Sequence, residues 1–209
     1  MDRREAIVSI STVLGYTITP ASIISLSAGC GKTQVDDGWQ PGYFAGEDAG
    51  FVGLLGETFL PRTETPGSFD VGAHVFVDGF LDQVAKVSDQ DKCKQGLALW
   101  KTDYNQRTGN DLIKATSEEL QKELTRLFDV GQDQQRSIKK MLSAGKPQDD
   151  QLSGQYYMYS FLMMFKRLIM LGYYASEQVG ENILSYLPVP GRYEACIPAE
   201  EVGNVWALG

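Results

Sequence analysis

The sequence predicts an all-α fold: a single-domain helical bundle with an extended proline-rich C-terminal tail. Three observations carry that expectation. Apolar residues recur at three- and four-residue spacing over several segments, a capping box opens one of them, and no run of four to eight alternating residues supports a strand, apart from short pieces such as residues 204–208. With 209 residues and 43% hydrophobic residues, the chain is long enough to bury one sizeable core.

The elements follow in order. From Glu47, the residues Phe51, Leu54, Leu55 and Phe59 mark a helix that Pro61 stops. After the loop PRTETPG at 61–67, a second apolar helix runs from about Ala73 through Val75, Phe76, Phe80, Leu81 and Val84. A third, from Asp89 to about Gln106, places Cys93, Leu97 and Trp100 on one face. Thr116, Ser117, Glu118 and Glu119 form the capping box of a helix reaching Phe128, in which hydroxyl and carboxylate each satisfy an amide of the other residue. Residues 132–143 form the next helix, ended by Gly145, Lys146 and Pro147. The longest element runs from about Asp149 to Tyr174, with almost no β-branched residues and an apolar stretch, 156–164, that calls for burial on several sides. An exposed partner groove is the alternative for that stretch.

Charge and chemistry narrow the function. Nineteen basic against 27 acidic residues give a net charge of -8 and a pI near 4.7, which is no footprint for nucleic acid or an anionic surface. One histidine, His74, excludes multi-histidine metal sites and is read as structural; no Gly-x-Ser-x-Gly elbow, dinucleotide turn or C-x-x-C is present. The GCGKT run at 29–33 lacks the upstream glycine of a phosphate loop. No catalytic, cofactor-binding or metal-binding residue is therefore assigned.

Residues 1–30 read as an export signal: Arg3 and Arg4 precede a mildly apolar segment broken by Gly15 and Pro20, as in twin-arginine leaders. The segment ends in LSAGC, which resembles a lipobox except at Ser27, so lipidation of Cys30, cleavage nearby and an uncleaved anchor are the three alternatives. Without these residues the chain keeps 17 basic and 25 acidic side chains, and so stays at -8. Residues 31–46 are expected to form a linker whose Trp39, Tyr43 and Phe44 pack on the body or on a partner, and residues 47–209 the subunit domain. In an oxidising compartment Cys93 and Cys196 are candidates to pair, against two separate thiols.

The blocks GYYASE at 172–177 and YLPVPGRYEACIP at 186–198 resemble the C-terminal signature of the gluconate 2-dehydrogenase subunit 3 family. FLPRTETPGS at 59–68 and GAHVFVD at 72–78 resemble its N-terminal block. The resemblance implies a non-catalytic small subunit of an exported dehydrogenase. Its large partner would be a glucose-methanol-choline type oxidoreductase carrying FAD, sometimes with a cytochrome c subunit, and the small subunit would assist maturation and twin-arginine export. A cysteine in the leader would add membrane attachment. The competing class is a free-standing sugar-binding lipoprotein or enzyme, for which Trp39, Trp100, Trp206, Tyr156, Tyr157 and Tyr159 would be platforms. On the subunit reading, Tyr173, Tyr174 and Glu177 with Pro188, Pro190, Arg192 and Tyr193 form the partner-docking face. Prolines hold the strip extended and tyrosines supply contact area at low entropic cost. The alternative is that these residues cap the chain's own core.

Overall fold

The computed structural model describes residues 39–145, 147, 150–187, 189, 191 and 196–207. Among these are eight α-helices and no strand, as the periodicity predicts: α1 Glu47–Phe59, α2 Ala73–Gln83, α3 Val87–Thr108, α4 Ser117–Phe128, α5 Gln132–Ala144, α6 Asp150–Tyr174, α7 Glu177–Asn182 and α8 Ala199–Val202. A short 3-10 turn, Leu112–Lys114, separates α3 from α4. The capping box is formed in full, with Thr116 Oγ1 accepting from the Glu119 amide at 3.3 Å and Glu119 accepting from the Thr116 amide at 2.8 Å.

Helix α6 is the hub. Leu162 and Ile169 are fully buried along it, and α1, α2, α3, α5 and α7 all pack against it. Its apolar circumference demands several partners, because burying only one face would leave aromatic and aliphatic area in water at about 25 cal/mol per Å². Within residues 156–164, Tyr156, Met158, Tyr159, Phe161 and Leu162 are buried, as the core reading expects, while Met163 is exposed.

The most extensive packing on α6 is that of α3, and it depends on Gly96. A Cβ built at Gly96 would lie 2.6 Å from Phe161 Cβ and still closer to the Tyr157 carbonyl oxygen, so only glycine lets the two helices approach this far. The same device recurs where Phe76 of α2 crosses Gly172, whose added Cβ would meet Phe76 Cδ1 at 2.8 Å. Beside the α3 crossing, Trp100 is fully buried, with ring centroids 5.8 Å from Phe51 and 6.1 Å from Phe161.

Residues 39–46, expected to belong to a linker, lie on the body. The buried Asp78 carboxylate of α2 accepts the amides of Gly42, Tyr43 and Phe44 at 2.7, 3.1 and 2.8 Å, and Phe44 enters the core. Trp39 meets His74 edge-on at 5.0 Å between ring centroids, while Phe69 stacks on the imidazole at 4.5 Å. At the other end of the chain, Ser185 forms a single parallel bridge with Trp206, which returns residues 204–207 to the end of α7.

The α3–α6 crossing yields a direct prediction. Gly96→Ala should lower stability by about 2–4 kcal/mol, since the obstruction includes backbone and cannot be relieved by a rotamer change. A thermal melt within a degree of wild type would show that the helices separate easily.

Candidate partner interface

Two of the quoted sequence runs, GYYASE and FLPRTETPGS, meet in space. Tyr173, from GYYASE, is buried, and its hydroxyl donates to the Pro66 carbonyl in PRTETPGS at 3.0 Å. That loop is tied down locally as well. Glu57 accepts the amides of Arg62 at 2.8 Å and Phe69 at 3.0 Å, and Asp70 accepts the Gly67 amide at 2.8 Å while pairing with Arg62 Nε at 2.8 Å. The motifs build this corner of the fold. Tyr173 is accordingly packed into the core at this corner, as the core-capping alternative has it.

Tyr174 and Glu177 are exposed at the same corner, the first on the outer face of α6 and the second opening α7. Pro188, Pro190, Arg192 and Tyr193, the rest of the expected docking strip, lie outside the described residues, as does Cys30. The outer face of α6 continues from Tyr174 through Leu171, Met170 and Arg167 to Lys166 and Met163, all exposed. Positions 163, 167, 170 and 174 succeed one another at four, three and four residues, so they form one stripe along the helix, about 16 Å long at 1.5 Å per residue.

This stripe leads to a groove. A cavity of about 460 Å³ lies between the end of α4, one side of α5 and α6, lined by Leu127, Phe128, Ile138, Leu142 and Met163 among others, with Lys139 its one charged lining residue. A second, more polar cavity of about 600 Å³ opens on the other side of α5, where Arg126 and Asp103 stand. None of the thirteen residues of α5 is buried, although Ile138, Met141 and Leu142 rest partly against the core.

The titratable groups inside the body act as struts. Glu123, only 5% exposed on the buried stripe of α4, accepts from Trp100 Nε1 at 3.2 Å, Arg107 Nη2 at 2.6 Å and Arg126 Nη2 at 2.8 Å, and Asp103 pairs with both arginines. Burial pushes the Glu123 carboxyl upward, but the donors from Arg126, Trp100 and Arg107 together outweigh it and hold the group below the usual carboxylate range. The signal was present in the sequence: a glutamate among Leu120, Leu124 and Leu127 must be paired. Cys93 is buried beside Tyr43, and desolvation pushes its thiol up to about 12, which leaves it inert. Cys196 is exposed and both thiols are unbonded, so the expected bridge is not formed in this structure; a core position such as that of Cys93 offers an exposed thiol little access.

Among the described residues, no group of three His, Cys, Asp or Glu side chains could hold a metal ion. Of the aromatic residues named for the sugar-binding alternative, Trp100, Tyr156 and Tyr159 are buried, Tyr157 is half-buried, Trp39 meets His74 edge-on and Trp206 is exposed.

The Glu123 strut yields a pH prediction. A carboxyl whose folded pKa lies below its unfolded value of about 4.3 contributes fully above that value and loses its contribution as pH falls through the folded pKa. Wild-type stability should therefore drop on acidification from about pH 5 downward, and Glu123→Gln should be less stable at neutral pH with a flatter profile below it. Parallel melting curves for the two proteins across that range would remove Glu123 as the cause.

A sequence model of the gluconate 2-dehydrogenase subunit 3 family matches residues 47–191, which takes in α1 through α7, the N-terminal block and the C-terminal block as far as Gly191. No curated protein and no solved structure matches the chain. Family membership implies a subunit of a multi-subunit dehydrogenase. On that match, over more than half its length, the chain belongs to the gluconate 2-dehydrogenase subunit 3 family.

Proposed function

We propose that this chain is the non-catalytic small subunit of an exported FAD-dependent dehydrogenase of the glucose-methanol-choline type, and that it assists maturation, export and membrane attachment of the catalytic subunit. The family match over residues 47–191 carries the reading. Two features of the chain support it. Two buried carboxylates are committed to structural bonds, Asp78 holding three arm amides and Glu123 holding Trp100 and two arginines. The outer face of α6, by contrast, presents Met163, Met170, Leu171 and Tyr174 to solvent, the polarizable and aromatic side chains that anchor interfaces.

In this reading FAD resides in the partner, a cytochrome c subunit takes its electrons where one is present, and the small subunit supplies the address. Residues 1–30 act as the twin-arginine leader of both chains, since that route accepts folded cargo, and the complex works in the periplasm. Cys30 carries the lipid that holds the complex at the membrane. Tyr174 and Glu177, with Pro188, Pro190, Arg192 and Tyr193, form one part of the docking face.

Replacing Arg3→Lys and Arg4→Lys together in the native host should strand both chains in the cytoplasm and abolish periplasmic dehydrogenase activity, while the complex still assembles. Deleting the chain should leave the flavoprotein unexported. Export of an active flavoprotein in the deletion strain would overturn the proposal.

A further inference from the structure

The charge of the chain is unevenly placed. Residues 134–176, spanning most of α5, all of α6 and the two residues after it, contain Arg136, Lys139, Lys140, Lys146, Lys166 and Arg167 against only Asp149 and Asp150, in a protein that is otherwise strongly acidic. No acidic residue occurs between Asp150 and Glu177. Two of the cations stand at the 460 Å³ groove: Lys139 lines it, and Lys166 Nζ lies 5.5 Å from the ring centroid of Phe128, another lining residue. No carboxylate lines the groove, Asp129 and Asp133 being the nearest acidic residues in the chain.

A concave apolar recess with cations at its edge selects a ligand that brings protruding apolar side chains and a negative charge together. Resting on the subunit reading above, we infer that this groove receives an acidic amphipathic segment of the catalytic subunit. Its large apolar side chains insert against Phe128, Leu142 and Met163, and its carboxylates face Lys139 and Lys166. Continuity supports the same occupant, because Met163 belongs both to the groove and to the exposed α6 stripe that runs to Tyr174. Helix α5 is suited to close on such a segment: it has no buried residue and a cavity on either side. A flat anionic bilayer would reach the lysines but leave the recess unfilled.

The test uses the flavoprotein that co-purifies with the wild-type full-length chain from its native host, separated and titrated back onto each variant. Lys139→Glu combined with Lys166→Glu changes two exposed side chains and should raise Kd at least about tenfold, the equivalent of roughly 1.4 kcal/mol, and flatten the salt dependence of binding. Lys139→Arg with Lys166→Arg should bind as wild type, and Met163→Ser should weaken binding without altering the salt slope. Equal affinity and equal salt slope for the glutamate variant and wild type would overturn the inference while leaving the subunit reading intact. So would wild-type binding to vesicles of phosphatidylglycerol and phosphatidylethanolamine that the glutamate variant loses while its flavoprotein affinity is unchanged. Failure of the wild-type chain to retain any flavoprotein would overturn the subunit reading, and this inference with it.

Discussion

The close crossing of α3 over α6 at Gly96 is the contact on which the rest of the fold depends. Helix α6 is apolar around most of its circumference and is stable only when other helices enclose it. The missing side chain at Gly96 lets the longest of these, α3, bring Leu97 and Trp100 against Phe161. Helix α2 packs with Phe76 over Gly172, and α1 places Phe51 against Trp100. The face from Met163 to Tyr174 is left uncovered by these neighbours.

Buried carboxylates then fix what helix packing alone would leave free. Asp78 gathers three consecutive amides of the arm, holding residues 42–44 against α2. Glu123 joins α4 to α3 through Trp100 and Arg107. Each replaces a hydration shell with several donors, the condition under which a buried charge is tolerated, and removing one partner would leave the other groups unsatisfied. Both of these buried carboxylates serve the architecture.

How much of this was legible in the sequence depended on the range of the interaction. The helices were, because capping and periodicity are local: Thr116 with Glu119 placed the start of α4, and Pro61 the end of α1. The hub role of α6 followed from its composition. The docking of the arm was not, since nothing near Asp78 in sequence shows that its acceptors serve amides more than thirty residues earlier. Tyr173 and Tyr174 are adjacent and identical, yet one donates to Pro66 in the interior and the other faces solvent, a difference set by helical phase against a distant loop. The groove beside α5 was invisible for the same reason, being defined by how incompletely one helix seats on others.

Under the proposed function, this chain recognises a flavoprotein that carries out the chemistry. The most direct measurement is the absorbance spectrum of a complex captured through this chain, taken before and after the two subunits are separated. The account predicts a flavin spectrum in the complex that stays entirely with the large subunit, leaving the small one colourless. Flavin retained by the small chain, or capture of no flavoprotein at all, would contradict it.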